Sequence, residues 1–146
     1  MPPPTNGNER SSDRSLRYLT IITETRPLTI WFCICNPPGS GEPITVPRPL
    51  TPIGAFLRIE VFDQDGQVVY HTDPPKMKLK LDPSKAQSYL TLEPGYTHGV
   101  MAEIADLRLP AGDYRLRLAY SNLMFTGTRE RPLGELRHET SVGFRA

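Results

Sequence analysis

Two cysteines and three histidines are the side chains best suited to metal ligation or nucleophilic chemistry in this chain, and their spacing argues against both. Cys33 and Cys35 sit two apart in a segment that reads as a strand, so both side chains point the same way with Cα atoms roughly 6.5 to 7 Å apart. That geometry is poor for a disulfide, and no histidine adjoins the pair in sequence to complete a zinc-like set. His71, His98 and His138 lie far apart and show no two-histidine spacing of a metal site, so they are expected to be ordinary surface groups at strand ends. Asp63-Gln64-Asp65-Gly66 has part of a calcium loop, but a third acidic position and a distal glutamate are missing, and a hairpin turn accounts for it. No serine stands in a Gly-x-Ser-x-Gly elbow, and no glycine-rich phosphate loop follows a strand. The expectation is a protein that is not an enzyme and holds neither cofactor nor metal.

The elements that position these residues are strands. Sixteen prolines and eleven glycines punctuate the sequence too often for long helices. In Tyr114-Arg115-Leu116-Arg117-Leu118-Ala119-Tyr120 the apolar side chains share one face and both arginines the other, the period of two of a half-buried strand. Two turn signals, Glu93-Pro94-Gly95 and Pro110-Ala111-Gly112, bracket this region. Strands are predicted over Leu16 to Glu24, Leu28 to Cys35, Phe56 to Phe62, Gln67 to His71, Tyr89 to Leu92, Thr97 to Ile104, Tyr114 to Asn122 and Arg137 to Phe144. Ile44 to Val46 can be at most a short edge strand between prolines. The alternating run from Lys76 to Leu81 places three lysines on one face, which suits a sheet edge. Leu28 to Cys35 is apolar on both faces. Trp31, which shares the face of Cys33 and Cys35, is expected to be buried within the domain, with an exterior contact anchor as the alternative.

At 146 residues the chain fits one domain, assigned here to residues 15–146, behind an N-terminal arm of residues 1–14 too polar and proline-rich to offset the entropy of ordering. Seventeen basic residues against sixteen acidic ones leave a formal net charge of +1, so no global field favours a polyanion. No aromatic residue interleaves with Lys76, Lys78 and Lys80 to stack bases, which excludes a nucleic-acid partner by the same reasoning. No stretch approaches the ~18 apolar residues of a membrane span. With two cysteines and no apolar leader-like segment, the expected location is cytoplasmic. The segment from Asn122 to Leu136 is too long for a tight hairpin, and long loops in compact domains usually serve a function. It carries Leu123, Met124 and Phe125, three large apolar residues in a row, followed by Arg129 and Arg131. With Trp31 these form the expected protein-binding set.

Phe56-Leu57-Arg58-Ile59-Glu60-Val61-Phe62-Asp63-Gln64-Asp65-Gly66-Gln67-Val68-Val69-Tyr70, then Thr91-Leu92-Glu93-Pro94-Gly95, then Leu109-Pro110-Ala111-Gly112-Asp113-Tyr114-Arg115-Leu116 follow an order of signals with a precedent. It resembles small immunoglobulin-like sandwiches of the bacterial intracellular proteinase-inhibitor type, and more loosely the propeptide-like β-domains beside some metallopeptidases. The matching pieces span about half the chain, and the N-terminal third has no counterpart. Strand spacing and the resemblance together predict an all-β, antiparallel immunoglobulin-like sandwich of about seven to nine strands. The leading functional expectation is a non-enzymatic protein–protein interaction module, an accessory subunit of a larger assembly. The resemblance implies the alternative of a proteinase inhibitor, although no inhibitory loop maps onto particular residues. A carbohydrate-binding module, with Trp31, Tyr96 or Tyr120 stacking on sugar rings, is the third reading.

Overall fold

Between its turn residues the chain pairs segment against segment, because strand donors and acceptors are satisfied only by a neighbouring strand. The computed structural model describes residues 10–11, 16–76, 82–122 and 136–146. Within them lie a two-residue strand β1 (Arg10–Ser11) and nine longer ones: β2 (Arg17–Thr25), β3 (Leu28–Cys35), β4 (Ile44–Pro47), β5 (Leu57–Phe62), β6 (Val68–His71), β7 (Tyr89–Leu92), β8 (Thr97–Ile104), β9 (Asp113–Ser121) and β10 (Arg137–Arg145). All pairings are antiparallel. One sheet runs β1-β10-β9-β5-β6, another β2-β3-β8, and β4 pairs with β7. The only helical elements among the described residues are two three-residue 3₁₀ turns, and no helix there is long and apolar enough to cross a membrane.

The expected alternation decides what is inside. Leu28, Ile30, Phe32 and Ile34 of β3, Leu57, Ile59 and Val61 of β5, and Leu116, Leu118 and Tyr120 of β9 are all buried in one core cluster. Full burial of one such side chain is worth roughly 1.5 to 3 kcal/mol, so these positions dominate the stability of the fold. An aromatic group joins the two sheets at its centre: Phe32 and Tyr120 ring centroids lie 5.2 Å apart, and the Tyr18 ring stacks on His138 at 4.4 Å, within 8° of parallel.

His138 corrects one expectation. It is only 3% exposed, because the β9–β10 register sets it opposite Tyr120 on the inward face rather than at the surface. A second difference lies in the segment read as an arm, where Arg10 and Ser11 pair with Glu139 and His138 of β10. Of the predicted lysine-bearing strand, Lys76 is a bend residue and residues 77–81 lie outside the described set. The Asp63–Gly66 turn joins β5 to β6 as expected: Gly66 takes φ 80°, and Asp63 Oδ1 accepts the N–H groups of Asp65 and Gln67 at 2.9 Å. The carboxylate of the supposed calcium fragment is thus a brace for the hairpin. At the far end of β9, Asn122 and Leu136 are both buried and joined by an Asn122 N–H to Leu136 carbonyl bond of 3.1 Å.

Candidate functional site

Because β3 is apolar on both faces, its outward side chains become a surface feature. The registers align Ile21 of β2, Trp31 of β3 and Met101 of β8 in one row, and Leu19, Cys33 and Gly99 in the next. Leu19, Ile21, Trp31 and Met101 are 51, 44, 40 and 48% exposed. Trp31 is therefore not buried within the domain, which corrects the expectation. The inward positions of β3 are already filled by Leu28, Ile30, Phe32 and Ile34, and of the opposite parity Trp31, Cys33 and Cys35 are turned outward while Thr29 at the strand's start is buried. Neighbouring outward side chains at the ~5 Å spacing of paired strands make one continuous apolar patch rather than scattered singles.

Cys33 and Cys35 follow Trp31 along this face, half-buried and unlinked by a disulfide. Burial, and secondarily the neighbouring Cys35, push the Cys33 thiol above its ordinary pKa, so it stays protonated and is a poor nucleophile. Gly99 stands opposite Cys33. A Cβ there would meet Cys33 Sγ at 2.7 Å and the Phe32 carbonyl oxygen at 2.8 Å, so the close approach requires glycine.

The opposite side of the molecule has another character. The outward positions of β5, β9 and β10 carry Arg58, Arg115, Arg117, Arg137 and Arg145 with Glu60 and Glu139. Arg117 forks onto Glu139, its Nε donating at 2.7 Å, and that bond and charge raise its already high pKa.

A cleft of about 530 Å³ borders β8, lined by His98, Gly99 and Val100 on one side and by Arg48, Leu50 and Lys85 among others across from it. Arg48 is fixed by donating from Nε to the Gln87 carbonyl and from Nη2 to the Tyr89 carbonyl, each at 3.1 Å. His98 Nε2 lies 2.7 Å from the Arg48 carbonyl oxygen. Asp82, at the rim, is held below the usual carboxylate range chiefly by the Ser84 hydroxyl and then by the Ser84 N–H, with Lys85 adding to the effect.

The histidines do not converge. His71 is exposed beside Asp73, His98 borders the cleft, and His138 is in the core. No group of three or more potential ligands that could hold a metal occurs among the described residues. Leu123, Met124, Phe125, Arg129 and Arg131 lie outside the described set. Of the three aromatics considered for sugar stacking, Tyr120 is excluded by burial at 1% exposure, while Trp31 and Tyr96 are exposed. Sequence reasoning missed Leu19, Ile21 and Met101. Their signal was the shared parity of Leu19 and Ile21 within β2, opposite to buried Tyr18, but which strands lay beside Trp31 was needed to use it. Compared with known protein families, curated proteins and solved structures, the chain matches none.

Proposed function

We propose that this chain is a non-enzymatic protein-binding module, an accessory subunit of a cytoplasmic assembly, that docks through the outer face of β2, β3 and β8. The observation that carries this reading is the in-register row of Ile21, Trp31 and Met101, continued by Leu19, all substantially solvent-exposed. A face of this kind is favourable to cover, and tryptophan is enriched among residues that dominate binding energy. Covering the exposed half of each of four such side chains contributes about 1 kcal/mol apiece, roughly 4 kcal/mol together. Association itself costs about as much or more in lost translational and rotational freedom, so the face needs further contacts for a durable complex.

The scaffold is read as an immunoglobulin-like sandwich. The β10-β9-β5 order against β2-β3-β8 parallels the two layers of such domains. Tyr114, at the start of β9, donates its hydroxyl to the Pro110 carbonyl at 2.6 Å, the arrangement of a tyrosine corner.

The test is affinity capture from the source cells with wild-type chain and with a Trp31→Ser, Met101→Ser double variant. A defined partner is expected with the wild type and lost with the variant, whose melting temperature stays near wild type because both positions are at the surface. A partner retained equally by both proteins, or no partner at all, overturns docking through this face.

A further inference from the structure

The outer margin of β8 offers what the apolar face lacks. The Asn36 N–H donates to the Tyr96 carbonyl at 3.0 Å, and this pair continues the register joining β3 to β8. In an antiparallel ladder, residues that exchange hydrogen bonds alternate with residues that do not. His98, Val100 and Ala102 therefore turn their backbone groups toward β3, while Thr97, Gly99, Met101 and Glu103 turn theirs outward. The tight approach of Cys33 to Gly99 agrees, because the pair without hydrogen bonds is the closer one.

No strand pairs with that outer margin among the described residues. The strand runs eight residues with no lysine, proline or bulge, and its one carboxylate, Glu103, stands near its end, so the stretch around Gly99 lacks the devices that usually keep sheet edges from pairing. Gly99, whose own backbone is exposed, opens directly onto the cleft of Arg48 and Lys85. Arg48 is fixed by carbonyls, which hold its position without cancelling its charge. The Asp82 carboxylate is hydrogen-bonded by Ser84 and offsets part of the Lys85 charge, but no ion pair among the described residues involves Arg48 or Lys85. With one acid against two bases, the cleft is left cationic.

We propose that β8 receives an extended segment of a partner protein as an added strand, and that the cleft takes one acidic side chain of that segment against Lys85 and Arg48. Main-chain hydrogen bonds to Gly99 and Met101 would supply affinity, and the cationic cleft would select the side chain, the division of labour in strand addition to a sheet edge. Alternate side chains of the added strand would lie beside Met101, extending the apolar face. This assignment rests on the protein-binding reading and names the chemistry of the partner.

The experiment selects random displayed peptides against the full chain, then titrates the enriched peptides, synthesised with blocked ends, while backbone amide shifts are followed. Enriched sequences are expected to carry Asp or Glu among β-branched residues, and the amides of Thr97, Gly99, Met101 and Glu103 are expected to shift. Lys85→Glu should weaken binding by about tenfold or more, the loss of one charge-assisted contact. Of two peptides with proline at successive central positions, the one whose lost N–H faces β8 should no longer bind. The Trp31→Ser, Met101→Ser variant separates the two surfaces, since it should keep the Lys85 dependence even where affinity falls. Basic enriched peptides, binding that tolerates proline at both successive positions, shifts confined to Ile21 and Trp31, or no enrichment would each overturn the edge assignment. The first three leave docking through the apolar face standing, whereas a captured partner retained by the double variant, with peptide binding intact, would leave the edge as the site.

Discussion

His138 ties the stability of this protein to pH on the acid side. Burial against Tyr18 and Phe32 lowers its pKa from 6.5 to about 4, partly opposed by Glu139. The folded state thus resists the proton that the unfolded chain accepts near pH 6.5. Between pH 6.5 and 4 the unfolded state binds more protons, so stability is full above pH 6.5 and falls as the solution is acidified toward pH 4. The gap corresponds to about 3 kcal/mol. Urea denaturation at pH 7 and pH 4.5 should show most of that loss in the wild type, and His138→Gln should flatten this part of the profile whatever its absolute stability. Burial of this histidine was legible only in part. Leu136, His138 and Thr140 share one parity, but polarity argued for the surface, and the inward direction came from the pairing with Tyr120. Tyr120 is the complementary case: burial pushes its phenol up to about 12, while the Asn122 amide donates to its oxygen at 2.6 Å. Asn122→Ala should cost about 1 to 3 kcal/mol by orphaning a buried hydroxyl, read as a lower denaturation midpoint.

Strand pairing makes its sharpest demand where β3 meets β8. Gly99→Ala would drive a methyl group onto Cys33 Sγ and the Phe32 carbonyl, and a shift of that backbone should cost about 1 to 3 kcal/mol. Adding Cys33→Ala should recover part of the loss, because one of the two obstructions is then gone; no recovery in thermal denaturation would sink the argument. Elements were the most legible level. β3, β7 and β8 have the limits expected from alternation and turn residues, and β9 begins one residue early because Asp113 still pairs with Arg145. What alternation could not supply was the choice of face on β3. Both faces are apolar, so periodicity is silent, and the outcome depends on Leu19, Ile21 and Met101 arriving from other strands.

Taken whole, the molecule presents an apolar face on one sheet and an arginine-bearing face on the other, a contrast hidden in a net charge of +1. Sheet order, and with it this two-sidedness, was not readable, since it depends on pairings between residues as distant as Arg10 and Glu139. That pairing also bears on truncation. Removing residues 1–14 deletes a two-residue bridge and little else that is described, so unfolding free energy should fall by no more than about 1 kcal/mol. A larger drop in urea denaturation would mean that the segment is integral to the core. The bond joining Asn122 to Leu136 has a separate bearing on how such a protein can change over time. It sets the meeting point of β9 and β10 with buried residues at the ends of the described strands, where Asn122 and Leu136 both lie in the interior. Descendants of this chain are thus held to those two positions, while the outward side chains of the same strands can be exchanged without moving the frame.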